Sequence, residues 1–293
     1  MLDSRKREIR IKADYFRTNC KIGRYGIINL FKECERMGYK LVRYPLGENA
    51  DLGFMMKKDN DIVIFTNSCS RLSREIFTLA HEVGHVILHL NDENTFIDDS
   101  VTINGRSTDE KEQEANYFAA CLLMPSDDVH RFIDLEIQNF QECGLSAMDI
   151  ARIMSEFNVS FDMALNRLES LGVINTDQKM RLDNIKTEMK VGNLLRAVGG
   201  NSKLNERTMK KVGNLLRSVG GNAKLNEPSN VIDIPHEYID YVIYNYNHNA
   251  VPKETLERVL AYYKLVIDDV SDKIVEFSDD DDDLDDLIGG IDD

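Results

Sequence analysis

The sequence predicts an α+β protein that is mainly helical and contains a small β-sheet. Two kinds of spacing lead to this prediction. Apolar residues recur at helical intervals over long stretches, most clearly in residues 71–90 and 108–124. Between residues 40 and 65, by contrast, short apolar runs alternate with polar and turn-forming residues, which is typical of strands.

The composition is that of an ordinary soluble globular protein. Its 293 residues are enough for one large domain or two modest ones. No apolar run approaches the roughly 20 residues of a membrane-spanning helix, and the charged N-terminus lacks the apolar core of a signal peptide. The five cysteines are scattered and form no C-x-x-C pair. They are therefore expected to be free thiols, and the protein to be cytoplasmic.

The negative charge is concentrated at one end of the chain. The net charge is −15, and residues 278–293 hold nine aspartates and no basic residue. We interpret this segment as a disordered, solubilising tail, with attraction of a basic partner as the alternative. An acidic surface argues against nonspecific binding to nucleic acid or anionic membranes, so neither is expected as a partner.

The first part of the chain predicts one helix followed by the sheet. Residues 1–22 mix charges with isolated apolar positions and predict no clear element. An amphipathic helix is predicted over residues 24–38, and a strand over residues 40–44. Residues 53–65 predict a β-hairpin around a polar turn. The hairpin is either a plain core element or an edge to which an extended peptide adds.

Two long helices are predicted on either side of a polar loop. The first covers residues 71–90, about 30 Å of helix, and the loop covers residues 91–105. The second covers residues 108–124 and is stopped by Pro125. Its first turns are acidic, which suits the positive end of the helix dipole. Its remaining residues are small and apolar, so it must pack closely against another element.

The second half of the chain predicts a helix-turn-helix and then a repeat. Residues 147–171 have the helix-turn-helix pattern, and residues 178–227 contain a direct repeat with a period of 21 residues. Each copy has an apolar helical stripe and ends in a Gly-Gly pair suited to a helix C-cap. We interpret the repeat as a duplicated pair of short helices, with a partner-docking element as the alternative. A small segment of strand and helix is predicted over residues 228–274.

Two histidines on the first long helix are spaced to bind one metal ion. His81 and His85 are four residues apart, so they share one face of the helix. Glu82 points about 100° away, too far round to bind the ion directly but within reach of a water beside it. This is the H-E-x-x-H pattern of zinc peptidases, in which the histidines bind Zn²⁺ and the glutamate acts as the base.

A catalytic zinc ion needs a third protein ligand. His89 lies a further turn along the same helix, too far to complete the set, and is expected to support the site from behind the ligands or to serve in packing. The second long helix offers two acids, Glu112 and Glu114, which point about 200° apart. Small residues on the face of Glu112 favour it as the ligand, and Glu114 is the alternative.

Other polar residues are candidates for supporting roles. Asn116 lies one turn after Glu112, where it can hold a ligand histidine by a hydrogen bond. Donors for the oxyanion of the reaction are sought among Tyr117, His89 and His130, which the sequence does not rank.

These residues resemble the ImmA/IrrE metallopeptidases. The resemblance rests on the run from Thr78 to His89 and on the pattern Glu112-x-x-Ala-Asn-x-Phe-Ala-Ala-x-Leu-Leu-Met-Pro. Residues 157–160 and 167–172 fit the helical segment that follows in that family. The similarity covers about residues 25–175, and two separate motifs agree in order and spacing.

The resemblance implies a gluzincin-like site in a zincin-like fold. It makes His81, His85 and Glu112 the zinc ligands and Glu82 the base. It also implies a zinc-dependent endopeptidase of bacteria, their phages or mobile elements, whose members typically cleave a helix-turn-helix repressor and so release silenced stress, phage or mobile-element genes. The competing hypothesis is a metallopeptidase-like binding module that controls a regulator or toxin by contact.

The expected organisation has five parts. A zincin-like metallopeptidase domain is followed by a helix-turn-helix-like segment, the tandem repeat, a small α/β C-terminal domain and the acidic tail. Their bounds are 1–135, 136–177, 178–227, 228–277 and 278–293.

Overall fold

The computed structural model describes residues 1–47, 52–58, 61–90, 95–98, 109–138, 140, 144–184, 216–248 and 251–274. The chain forms two compact units, Met1–Ile234 and Pro235–Asp293. Helices dominate the described residues and accompany one small mixed sheet, which confirms the predicted α+β class. None of the helices described combines the length and the apolar character that crossing a bilayer requires.

The first unit contains the sheet and most of the helices. Its helices are α1 (Asp3–Thr18), α2 (Leu30–Arg36), α3 (Leu72–His89), α4 (Glu110–Leu123), α5 (Ser126–Glu136), α6 (Ala147–Phe157) and α7 (Phe161–Ser170). Its strands are β1 (Lys40–Tyr44), β2 (Gly53–Lys58), β3 (Asp61–Asn67) and β4 (Thr95–Asp98). The order in the sheet is β1-β3-β2-β4, with β1 parallel to β3 and the other pairs antiparallel.

The sheet follows the predicted strand and hairpin, with one addition. In the hairpin, Met55 of β2 pairs with Ile64 of β3, and both side chains are fully buried. Residues 95–98 form β4 beside β2, although the sequence predicted a loop over 91–105. Of the two interpretations of the hairpin, the structure favours the core element over the open edge, because β1 and β4 flank the hairpin on both sides. The four residues Thr-Phe-Ile-Asp are too few to signal a strand by spacing, and their partner lies about 40 residues earlier in the chain.

Helix α1 was not predicted, yet it belongs to the core. Ile9, Ala13 and Phe16 are buried at helical spacing, and α1 packs along α4. The buried guanidinium of Arg17 donates to the carbonyl oxygen of Leu122, at 3.2 Å, near the C-terminus of α4. The apolar stripe is only one residue wide on a highly charged helix, which is why the sequence pattern carried no clear signal.

The helix predicted over residues 24–38 is shorter than expected, because its first part serves another contact. The backbone amide of Tyr25 donates to Glu156 Oε1 at 2.8 Å. A Cβ atom on Gly26 would overlap the carbonyl oxygen of Glu156, so α6 lies against this backbone. Helix α2 begins only after Asn29, whose side chain accepts from the amide of Lys32.

The helix-turn-helix-like segment is present but shares its core with the rest of the first unit. Ser146 and Asp149 form a capping box at the start of α6, and Asn158 turns the chain towards α7 with a φ of 57°. Ile153 and Leu168 are fully buried in the same apolar cluster as the long helices. A boundary at residue 135 does not separate two cores, because burial of these amphipathic faces needs the helices that come before them.

Residues 228–234, which follow the repeat, pack against β1 and α3. Asp233 exchanges two backbone hydrogen bonds with Arg43 on β1, of 2.7 and 2.9 Å. Arg43 also forms a bidentate ion pair with buried Glu75 of α3, with both distances 2.9 Å, and Ser229 donates to Glu75 at 2.6 Å. Residues 228–234, which the sequence assigned to the C-terminal domain, therefore lie with the first unit.

The second unit is small and helical in its described part. Helices α8 (Tyr238–Asn247) and α9 (Lys253–Tyr262) and a 3₁₀ helix (Ile267–Lys273) enclose a separate apolar cluster. No strand occurs among the described residues of this unit, and the extended residues Pro228 and Asp233 form isolated bridges within the first unit.

The tandem repeat lies mostly outside the described residues, as does the acidic tail. Only the end of the second copy, residues 216–222, is described. There Gly220 has a φ of 69°, which confirms the predicted glycine C-cap for this copy. Leu216 is fully buried, and the amide of Asn222 donates to Ser155 Oγ on α6 at 3.1 Å. This end of the repeat is thus docked on the helix-turn-helix-like segment.

Candidate metal centre

The site is built where α3 and α4 approach each other closely. A Cβ atom on Gly84 would lie 3.1 Å from the Cα atom of Ala115 and 3.2 Å from its carbonyl oxygen. Such contacts are closer than side chains normally allow, so the glycine determines how near the two helices lie. The approach brings the first turns of α4 over the middle of α3.

His81, His85 and Glu112 converge at this crossing. Glu112 Oε2 lies 3.3 Å from His81 Nε2, and Glu112 Oε1 lies 3.2 Å from His85 Nε2. The two Nε2 atoms are 3.0 Å apart. Both histidines are 0% exposed and Glu112 is 7% exposed. One donor atom from each residue lies within 4.8 Å of the others, an arrangement that could hold a metal ion.

Glu82 lies beside this group and faces the sheet. Its side chain is fully buried, like those of the flanking histidines. A Cβ atom on Gly53, the first residue of β2, would lie 3.1 Å from Glu82 Oε1 and 2.9 Å from the carbonyl oxygen of Phe65. The absence of a side chain at Gly53 therefore leaves room for the Glu82 carboxylate against the strand.

Each histidine has a partner on its outer ring nitrogen. His81 Nδ1 lies 3.1 Å from Asn116 Oδ1. His85 Nδ1 lies 3.1 Å from His89 Nδ1. These contacts occupy the nitrogens that point away from Glu112, so both Nε2 atoms face the centre of the group. Asn116 and His89, both candidates for supporting roles, thus stand behind His81 and His85 respectively.

Glu114 takes a different position from Glu112. Its Oε2 atom lies 3.0 Å from His89 Nε2, and its two oxygens accept from Arg5 of α1 at 2.7 and 2.5 Å. The Arg5 hydrogen bonds hold the pKa of Glu114 at about 2, so this carboxyl is ionised at neutral pH. Burial lowers the pKa of His89, which favours its neutral form. Of the two acids left open by the sequence, Glu112 is the one beside both histidines.

The remaining candidates lie elsewhere. Tyr117 neighbours Cys121 one turn further along α4, and partial burial raises its pKa. His130 is exposed on α5, where its Nδ1 lies 2.7 Å from the carbonyl oxygen of Ser126. The structure does not bring either side chain to the histidine pair through any contact described, so neither is supported as an oxyanion donor.

The donor set fits a catalytic zinc ion. Two imidazoles and one carboxylate are a common ligand set of such sites, and a fourth position remains for water or substrate. Burial of all three side chains is costly unless they share a cation or hydrogen bonds. The group is thus chemically suited to a divalent metal.

Sequence reasoning missed Gly84, Gly53 and Arg5. Gly84 had a signal: a glycine inside a helix costs about 1 kcal/mol relative to alanine, which indicates a packing requirement. Gly53 begins a strand, where a glycine often marks the close approach of another group. Arg5 had no signal, because its partner lies 109 residues away in the sequence.

Substitution of Gly84 by Ala should weaken metal binding while the protein remains folded. The added methyl must push Ala115 away by a few tenths of an ångström, and Glu112 moves with it. Overpacking of this kind costs about 1–3 kcal/mol. We expect metal affinity to fall by about tenfold in competition titrations. Gly23→Ala is the control, because its new Cβ would be in ordinary contact, at 3.4 Å or more. Equal metal affinity in Gly84→Ala and Gly23→Ala would contradict the conclusion that Gly84 sets the distance between α3 and α4.

Comparison with known families identifies the segment that contains this site. The family model for Peptidase M78, the IrrE N-terminal-like domain, matches residues 34–169. The matched segment includes both helices of the site but not α1. A search of curated proteins found no match.

Proposed function

Because residues 34–169 belong to the IrrE N-terminal-like peptidase family, as their resemblance to ImmA/IrrE metallopeptidases indicated, we propose that this protein is a zinc-dependent endopeptidase. In the proposal, His81, His85 and Glu112 hold the ion and Glu82 is the general base. The observation that carries it is the buried group of two imidazoles and one carboxylate with a second carboxylate beside it.

The chemistry follows from the positions of the side chains. A bound zinc ion supplies Lewis acidity, which acidifies water and polarises the scissile carbonyl. Glu82 takes a proton from the attacking water at a carboxylate oxygen and passes it to the leaving nitrogen. Burial keeps bulk water away from Glu82 and strengthens its electrostatic interactions. Asn116 orients His81 by accepting from its Nδ1–H group.

We further propose that the substrate is a helix-turn-helix transcriptional repressor in the cytoplasm. Cleavage would release the genes that the repressor silences, whether of stress response, phage or mobile element. This part of the proposal rests on the family, whose typical substrates are such repressors.

The test is to mix the purified protein with the repressor encoded beside its gene. A single, specific cut is expected that a chelator abolishes and added zinc restores. Undigested repressor in the presence of zinc-loaded protein would overturn the endopeptidase assignment for that substrate. A stable complex without cleavage would instead support control by contact.

A further inference from the structure

A chain of polar contacts runs from the metal centre to the N-terminal helix. It passes from His85 Nδ1 to His89 Nδ1 at 3.1 Å, and from His89 Nε2 to Glu114 Oε2 at 3.0 Å. It ends at Arg5 of α1, whose Nε donates to Glu114 Oε1 at 2.7 Å. Arg5 lies outside the segment that matches the family model.

The contacts are consistent with only one arrangement of protons when a metal is bound. A histidine that binds a metal through Nε2 carries its proton on Nδ1, so His85 donates to His89. His89 then accepts at Nδ1 and, as a neutral ring, carries its own proton on Nε2. That proton faces Glu114, which accepts it as a carboxylate. Every link therefore has one donor and one acceptor.

We propose that Arg5, Glu114 and His89 are positioning residues that hold His85 in the orientation and tautomer that binds metal. The proposal rests on the metal-binding role proposed above for His81, His85 and Glu112. Arg5 fixes the Glu114 carboxylate with two hydrogen bonds, Glu114 fixes the tautomer of His89, and His89 fixes that of His85. The N-terminal helix thus becomes part of the metal site.

The two histidines of the site are supported differently. Behind His81 stands Asn116, a neutral amide on the same helix as Glu112. Behind His85 stand His89, Glu114 and Arg5, which we call the relay. It ends in the ion pair between Glu114 of α4 and Arg5 of α1. A carboxylate linked to a ligand histidine makes that histidine a stronger donor to the metal. Removal of a relay residue should therefore weaken His85 as a donor to the metal and also disturb its orientation.

Zinc affinity, measured by competition with a chromophoric chelator, tests the relay. Glu114→Ala is expected to weaken zinc binding by about tenfold, the lower end of the effect of removing a direct partner of a ligand, because Glu114 acts on His85 through His89. Arg5→Ala should weaken it by a smaller factor, because Glu114 still accepts from His89. The double variant should bind no more weakly than Glu114→Ala within about twofold, since Arg5 acts through Glu114.

Matched controls separate the relay from general effects of charge and helix stability. Glu110→Ala removes an exposed acid from α4 one turn before Glu114, and Arg7→Ala removes an exposed cation from α1. Both controls should bind zinc like the parent protein. Circular dichroism of the metal-free variants establishes that each is folded. If Glu114→Ala does not fold, comparison of Arg5→Ala with Arg7→Ala decides the question.

Two results would overturn the relay. One is equal zinc affinity in Glu114→Ala and Glu110→Ala, or in Arg5→Ala and Arg7→Ala. The other is a double variant, Arg5→Ala with Glu114→Ala, in which the loss of zinc-binding free energy equals the sum of the losses in the two single variants. Both leave the proposed peptidase intact, because the parent still binds zinc. A parent protein that binds no zinc would overturn the proposed function and the relay together.

Discussion

Replacement of Glu82 by Gln should reduce peptide cleavage by about 10²- to 10⁴-fold, the usual contribution of a general base. Gln has nearly the same shape but does not accept a proton at neutral pH. Zinc binding should be unchanged, because His81, His85 and Glu112 keep their positions. Burial of a carboxylate is costly, so we expect the metal-free variant to be at least as stable as the parent. Single-turnover cleavage and zinc titration measure the two effects separately.

The control for this experiment is Glu110→Gln, the same change at an exposed position on α4. It should cleave at the parental rate. A Glu82→Gln variant that cleaves as fast as Glu110→Gln would contradict the proposed mechanism. If Glu82→Gln lost cleavage but kept every biological effect, the protein would act on its partner by contact.

Replacement of Glu112 by Ala should have the second large effect, on metal binding itself. Structural zinc sites with four ligands bind with roughly 10–16 kcal/mol, so one ligand is worth about 3 kcal/mol. That corresponds to roughly a hundredfold weaker binding. Thermal unfolding in the presence of zinc should reveal the same loss, because a ligand that binds only the native state raises its stability.

The acid two residues further on provides the comparison. Glu114 contacts His89 and Arg5 rather than the histidine pair, so Glu114→Ala should keep more zinc affinity than Glu112→Ala. Glu110→Ala should keep all of it. If Glu114→Ala lost more affinity than Glu112→Ala, the assignment of the third ligand would have to be reversed.

Much of the fold around the site was predictable because its signals are local. The helix from 72 to 89 and the hairpin from 53 to 67 follow from apolar spacing over a few turns or strand residues. Helix α1 was missed because its buried stripe is one residue wide. Strand β4 was missed because pairing with β2, rather than its own residues, makes it a strand.

The sequence by itself determined the chemistry of the candidate site. A spacing of four positions on a helix places the imidazoles of His81 and His85 on one face, and the intervening Glu82 points elsewhere. These directions are fixed by helix geometry, at about 100° per residue, whatever the rest of the chain does. The choice of donor types, two imidazoles and an acid, therefore follows from the residues and their spacing alone.

Only the tertiary structure decided which acid joins them. Glu112 and Glu114 lie on a second helix, and its rotation and distance depend on packing against the first. That packing is set by the contact of Gly84 with Ala115, which brings Glu112 to within 3.3 Å of both histidines. The same packing directs Glu114 to His89 and Arg5. Contacts between distant segments depend on how whole elements fit together, so no spacing within one helix encodes them.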